Sequence, residues 1–177
     1  MGVRVSGRGL SVKQRPVLDE VRALAPRALS LVEGYMGRSA GRVEVMVMDL
    51  GCSHDLLVAV HQELLGTRNL PTHRWEHGAV FGHTTFSASE SLVLLDAVRL
   101  ARQPGELPPT VVHEFAHAVQ FARPGARELA VRYLGDDYGL IRIGRREVRK
   151  ANRETARDEQ EARDMEFLAD QLVKEVA

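Results

Sequence analysis

Residues 110–121, TVVHEFAHAVQF, contain two histidines and a glutamate whose types and spacing suit a hydrolytic metal site. His113 and His117 are four positions apart, so on an α-helix they share one face and lie about 6 Å apart along the axis. Two such imidazoles can bind one tetrahedral zinc ion. Glu114 lies about 100° around the helix from His113, where it can miss the metal and accept a proton from a nearby water. The spacing therefore predicts a Zn²⁺-dependent hydrolytic site with Glu114 as general base.

The apolar residues of the same segment indicate which way the histidines point. One broad helix face is apolar and must pack on a core; it consists of Val111, Val112, Phe115, Ala116, Val119 and Ala122. His113, His117 and Gln120 fall on the opposite side. We therefore expect the histidines to face either a cleft or solvent. A solvated polar face that spells HEFAH by chance is the alternative.

A catalytic zinc site needs a third protein ligand, and the sequence MEFLADQLV near the C-terminus offers one. Glu166 and Asp170 lie one helical turn apart there. Glu166 could bind the metal, while Asp170 accepts the N–H of a ligating histidine and fixes its orientation. An apolar stripe would press this helix onto the core: Met165, Leu168, Ala169, Leu172 and Val176. Four other acids stay open as the third ligand: Asp136 and Asp137 in LGDDYG, and Glu159 and Glu161 in EQEAR.

HEFAH followed by Glu-x-x-Ala-Asp (Glu166, Ala169, Asp170) resembles the gluzincin zinc metallopeptidases, especially the compact minigluzincins. The resemblance covers about residues 79–177. It implies peptide-bond hydrolysis with zinc bound by both histidines and Glu166, with Glu114 as the catalytic base and Asp170 behind the ligands. It also implies that the strand before the active helix is a sheet edge that pairs with extended substrate, a place occupied by residues 91–100. Asp136 and Asp137 are instead similar to the aspartate ligand of the deuterolysin-like aspzincins.

The remaining pattern predicts an α+β, zincin-like domain with a small mixed sheet packed on the active-site helix and additional C-terminal helices. Helices are expected over residues 17–36 (kinked or broken at Pro26), 53–65, 110–122, 128–134 and 145–176. Strands are expected over residues 42–50, 79–86 and 91–100, a loop over 69–78, a turn at 135–137, and a strand or turn over 138–143. We expect one domain over 1–177, which divides into a basic N-terminal segment plus helix (1–40), the sheet and HExxH helix (42–143), and a C-terminal helix with the third ligand (144–177).

The composition gives weaker indications about partners and location. Lys+Arg and Asp+Glu are both 24, so the overall charge does not favour a nucleic-acid or membrane partner. Cys52 is the only cysteine and no apolar run has the length of a signal peptide or membrane span. We therefore expect a cytoplasmic protein with no membrane partner, and the resemblance to gluzincins implies a peptide or protein substrate.

Two clusters of side chains outside the motif admit other interpretations. Arginines recur every four residues at Arg145, Arg149, Arg153 and Arg157, and such a stripe could meet nucleic acid or an acidic protein. The acids nearby favour a solvated, salt-bridged face instead. A zincin-fold module that binds or regulates a protein or nucleic-acid partner, without robust protease activity, is the alternative function. The loop residues His73, Trp75, Glu76 and His77 are interpreted as a polar surface loop. Tyr133, Tyr138 and Arg132 are candidates for stabilising an oxyanion, without an assigned role.

Overall fold

A four-stranded mixed sheet forms the centre of the computed structural model, which describes residues 2–71 and 80–174. The strands are β1 (Gly2–Gly7), β2 (Arg42–Met48), β3 (Gly82–Phe86) and β4 (Ser91–Asp96), and their order in the sheet is β1-β2-β4-β3. β1, β2 and β4 run parallel, and β3 is antiparallel to β4. The α+β class predicted from the sequence is confirmed.

Seven helices connect and flank the strands within the described residues. They are α1 (Arg15–Met36), α2 (His54–Leu65), α3 (Ala97–Arg102), α4 (Leu107–Phe121), α5 (Ala126–Asp137), α6 (Arg145–Asp164) and α7 (Ala169–Lys174). Short 3₁₀ turns lie at Val12–Gln14, Leu50–Cys52, Pro104–Glu106 and Glu166–Leu168. No helix in the described ranges is both long and apolar enough to cross a membrane.

The alternation of side chains along the strands divides the core between the two faces of the sheet. One face packs under α1 and α4 and includes Val45, Val47, Val93 and Leu95. The other face packs near α2; its members are Met48, Leu50, Leu57, Val60, Leu92 and Leu94. Every residue of β4 is buried, as expected for a strand covered on both faces. α4 thus packs against one face of the sheet.

Two strand predictions need correction. The basic N-terminal segment was not predicted to contain a strand, yet Gly2–Gly7 forms β1, parallel to β2 with Val3 opposite Val43. The predicted edge strand over residues 91–100 is wrong, because β4 lies inside the sheet between β2 and β3 and ends at Asp96. The Asp96 carboxylate ends it by accepting the N–H groups of Val98 and Arg99 at 2.9 and 3.0 Å, which starts α3. The outermost described strand on this side is β3.

Three helix predictions also differ from the structure. α1 continues through Pro26 without a break, since its buried residues pack on both sides of the proline; they include Val17, Val21, Leu29 and Val32. α5 runs through residues 135–137, where a turn was predicted, and residues 138–143 form no strand. The long C-terminal helix is interrupted at Met165, which is 2 % exposed and turns the following residues onto α4. Val176 lies outside the described residues.

Candidate metal centre

α4 carries the HEFAH residues and buries most of the predicted apolar face, whereas Ala122 lies just past its end and is half-buried. Val111, Val112, Phe115, Ala116 and Val119 are all at most 1 % exposed, which confirms the predicted core-facing side. The His113 and His117 side chains on the other side keep only 18 % and 16 % of their surface exposed. They line a cleft of about 890 Å³. The histidines therefore face a cleft, one of the two alternatives that the sequence left open.

The two histidines converge with a carboxylate from α6. Their Nε2 atoms lie 3.1 Å apart. Glu159 Oε2 is 3.6 Å from His113 Nε2, and Glu159 Oε1 is 3.3 Å from His117 Nε2. Ligands at about 2.0–2.1 Å from a tetrahedral zinc ion are separated by about 3.3–3.4 Å. The spacing of the three donors is thus compatible with one bound metal ion.

The other nitrogen of each imidazole has its own acceptor, and these contacts determine the tautomers. His113 Nδ1 is 2.9 Å from Glu166 Oε1, and His117 Nδ1 is 2.7 Å from Gln120 Oε1. The Gln120 amide nitrogen donates to Asp158 O and to a Glu161 carboxylate oxygen, both at 2.9 Å, so its oxygen faces His117. Each Nδ1 therefore carries hydrogen, and each Nε2 presents a lone pair to the other and to Glu159. Either a bound metal ion or a proton shared with Glu159 would stabilise this arrangement.

Polar contacts from the turn after α4 to α6 support this arrangement. The Arg123 guanidinium bonds Asp158 Oδ1 at 2.9 Å and forms an ion pair with the Glu161 carboxylate. Burial favours the neutral acid at Glu161, but hydrogen bonds from Arg123 and Gln120 outweigh it and lower the pKa of Glu161. Arg123 and Gln120 thus hold α6 in the position in which Glu159 reaches the two histidines.

Glu114 lies beneath β3 and is only 5 % exposed. The Thr84 hydroxyl is 2.6 Å from Glu114 Oε2 and 3.1 Å from the Glu114 carbonyl oxygen. Burial raises the pKa of Glu114, although the neighbouring His117, the Thr84 hydrogen bond and His113 oppose the change. Gly82 lies directly against this carboxylate, because a Cβ atom built on Gly82 would be 2.6 Å from Glu114 Oε1. The side chain is confined between α4 and β3, at the wall of the cleft.

The charges of His117 and Glu159 depend on each other. Burial favours neutral His117, but the hydrogen bond with Glu159 and the charge of Glu114 outweigh it and raise the pKa of His117. The His117 hydrogen bond in turn lowers the pKa of Glu159. Without a metal this pair is stabilised by a shared proton. A metal ion held by His113, His117 and Glu159 would take the place of that proton, because ligating imidazoles must be deprotonated at the coordinating nitrogen.

The sequence-predicted acids occupy different places from those expected. Glu166 contacts Nδ1 of His113, which is the supporting position predicted for Asp170, and Asp170 is exposed on α7. Asp136 accepts the N–H of Ile143 at 2.9 Å near the end of α5. Neither Asp136 nor Asp137 belongs to the group of possible metal ligands found among the described residues. The converging acid is Glu159, one of the contenders left open by the sequence.

Other predicted residues contribute to the cleft or lie away from it. Of the three oxyanion candidates only Tyr133 lines the cleft; Tyr138 is buried with its hydroxyl 3.1 Å from His61 Nδ1, and Arg132 pairs with Glu147. The cluster at residues 73–77 lies outside the described residues. Thr84 and Gly82 carried no sequence signal, since their contacts with Glu114 join residues about thirty positions apart and depend on how β3 lies over α4.

No protein-family model, curated protein or solved structure gives a significant match to this chain. The geometry of the site is therefore what indicates a function.

Proposed function

We propose that this protein is a zinc-dependent peptidase of the zincin type. The observation that carries the proposal is the convergence of His113 Nε2, His117 Nε2 and the Glu159 carboxylate within 3.1–3.6 Å, with both Nδ1 atoms engaged elsewhere. Two imidazoles and one carboxylate make up a donor set typical of catalytic zinc, which also keeps one position open for water or substrate. When bound, zinc would polarise the scissile carbonyl and lower the pKa of water.

Glu114 is the proposed general base and acid. Glu114 follows His113 directly in α4, and its side chain lines the same cleft. Thr84 donates to Oε2, which leaves Oε1 to accept a proton from the attacking water and later deliver it to the leaving amine. Because burial raises its pKa, the carboxylate is a stronger base than an exposed glutamate.

The substrate proposed is an extended peptide segment. β3 is the outermost described strand on its side of the sheet, and residues 80–84 line the cleft opposite the histidines. A strand at the edge of a sheet can pair with an extended peptide through main-chain hydrogen bonds. This arrangement supports a peptide substrate, with β3 taking the role that the sequence predicted for residues 91–100.

Two measurements on protein purified without a metal-affinity tag test this proposal. We expect about one zinc per chain by elemental analysis, and cleavage of an unfolded protein substrate that stops when the metal is chelated. Glu114→Gln should keep the zinc and lose at least about 10²-fold in kcat, within the range of general base catalysis. Cleavage by this variant at the wild-type rate would disprove the mechanism.

The third ligand is tested by a matched pair of substitutions. Glu159→Gln removes a charge that faces both Nε2 atoms, whereas Glu166→Gln changes only the partner of His113 Nδ1. We expect Glu159→Gln to release zinc at concentrations where Glu166→Gln, with a supporting role worth about 10–100-fold in affinity, still binds it. The reverse order would restore Glu166 to the place that the sequence predicted.

A further inference from the structure

Helix α6 separates its charges between two faces. We projected Arg145–Asp164 at 100° per residue. On the half that faces the protein all charged residues are acids, and all are partly buried: Glu147, Glu154, Asp158, Glu159 and Glu161. The outward half carries exposed basic residues: Arg145, Arg146, Arg149, Lys150, Arg153, Arg157 and Arg163. The one acid among them is Asp164. We refer to this outward half as the arginine face.

The inward acids have partners on α4, on α5 and in the turn between these helices, and two of them also interact with the arginine face: Glu161 with Arg157 and Glu159 with Arg163. Glu147 pairs with Arg132 at 2.9 Å, and Arg123 engages both Asp158 and Glu161. Glu159 faces the two histidines. The contact of Lys150 with Glu154 at 3.6 Å is the single salt bridge between the two halves of α6, and none of its outward arginines takes part in another within the described residues. The exposed outward half is therefore positive, although α6 as a whole carries seven basic and six acidic residues and the whole chain is neutral.

Helix stability does not account for this face. Arg145 and Arg146 occupy the first turn of α6, with Glu147 as the acid there. Positive side chains are unfavourable at a helix N-terminus, because the backbone dipole already places partial positive charge there. Alanine at these positions would form a more stable helix. The arginines are better explained by something that they bind.

The composition of the arginine face discriminates among partners. Its remaining members are Asn152, Ala156 and Gln160, so the face lacks large apolar and aromatic side chains. Protein interfaces usually have an apolar, aromatic core, and helices that lie on membranes need an apolar face. The arginines at 145, 149, 153 and 157 instead repeat every ~6 Å over about 18 Å. A nucleic-acid duplex presents phosphate charges at short, regular intervals.

We propose that the arginine face of α6 binds the phosphate backbone of a nucleic-acid duplex without reading its sequence. Guanidinium groups match phosphate oxygens with two parallel hydrogen bonds. α6 lies along the body of the protein, so its side chains reach phosphates rather than base edges. The inward half of α6 lines the cleft together with Arg157 and Arg163, so the arginine face borders the cleft at its C-terminal end. The proposal does not depend on zinc or on peptidase activity.

The test uses the full chain and a labelled DNA duplex of about 20 base pairs, two helical turns. Binding is measured by fluorescence anisotropy as salt rises from about 50 to 200 mM, in the presence of a chelator. The variant Arg145→Ala/Arg149→Ala/Arg153→Ala removes three arginines that do not line the cleft. The control, Arg8→Ala/Arg38→Ala/Arg102→Ala, makes the same charge change at exposed positions on other elements.

We expect wild type and control to bind with a steep salt dependence. The α6 variant should bind at least about tenfold more weakly at low salt, and the slope of log K against log salt should fall by about 2.7, or 0.9 per lost phosphate contact. Circular dichroism should show undiminished helix, because alanine favours it. Absence of duplex binding by the wild type at low salt would overturn the proposal, as would equal loss in the control. Displacement of the duplex by a polyglutamate of equal charge concentration would assign the face to acidic protein instead.

Discussion

The two carboxylate oxygens of Glu114 have different surroundings. Oε2 accepts the Thr84 hydroxyl at 2.6 Å, whereas Oε1 lies on the side of Gly82. A hydrogen bond to a charged group contributes about 1.5–3 kcal/mol. Thr84 is therefore a positioning residue, which holds the carboxylate in one orientation beside the histidines.

Replacement of Thr84 tests this orientation. Thr84→Val keeps the shape of the side chain and its place in β3 but removes the hydroxyl, so we expect kcat to fall by about 10-fold or more. Zinc content should stay at the wild-type level, because Thr84 contacts none of the proposed ligands. Thr84→Ser should restore most of the activity. If serine behaves like valine, the methyl packing of Thr84 matters rather than its hydrogen bond.

Gly82 permits a direct test of the space around Glu114. Its backbone does not have positive φ, so alanine is compatible with its conformation. An added Cβ would nevertheless lie 2.6–2.9 Å from three atoms of the Glu114 side chain. We expect Gly82→Ala to displace the carboxylate and abolish most of the activity. Gly105→Ala is the matched control, since a Cβ at that glycine meets nothing within 4 Å. Equal activity of the two variants would show that Glu114 is free to move.

At the scale of the elements, the contacts between α4 and α6 decide how His117 is held. Gln120 receives the His117 Nδ1–H and donates to α6, and Arg123 binds the same segment of α6. Gln120→Leu removes all of these Gln120 bonds, so we expect zinc affinity to fall about 10–100-fold. Gln160→Leu changes an exposed glutamine of α6 that contacts only Asp164 and serves as the control. An unchanged zinc affinity in Gln120→Leu, measured by competition with a chromogenic chelator, would contradict this role.

The elements also show which features the sequence could specify. The HEFAH helix was predictable because its apolar residues repeat at helical spacing. This spacing also sets the direction of His113 and His117, and it can be recognised without knowledge of the other helices and strands. The acid that joins them depends on how far α6 runs before the interruption at Met165, and no local pattern encodes that point. β1 is a short, half-exposed edge strand whose pairing with β2 comes from distant residues, so a basic segment was all that its sequence indicated.

For the whole molecule, the proposed metal centre adds a further link between α4 and α6, which otherwise contact each other through packing and through the side chains of Gln120 and Arg123. His113 and His117 lie on α4, and Glu159 lies on α6, after the intervening helix α5. The core beneath α1 and α4 and the second core near α2 are complete without the centre. The fold should therefore persist when zinc is removed, but with lower stability, because a bound ion stabilises the folded state alone.

The magnitude of this effect can be estimated. Free zinc at about 100 times its Kd stabilises the fold by about 2.7 kcal/mol. For a domain of this size, 1 kcal/mol shifts Tm by about 2–4 °C, so chelation should lower Tm by roughly 5–10 °C while the helix content is retained. Differential scanning calorimetry of the wild type with and without chelator gives this shift. In Glu159→Gln it should largely disappear, because the carboxylate that joins α6 to the histidines is lost, whereas Glu166→Gln should keep most of it. An identical Tm in zinc-loaded and chelated wild type would show that no metal bridges α4 and α6.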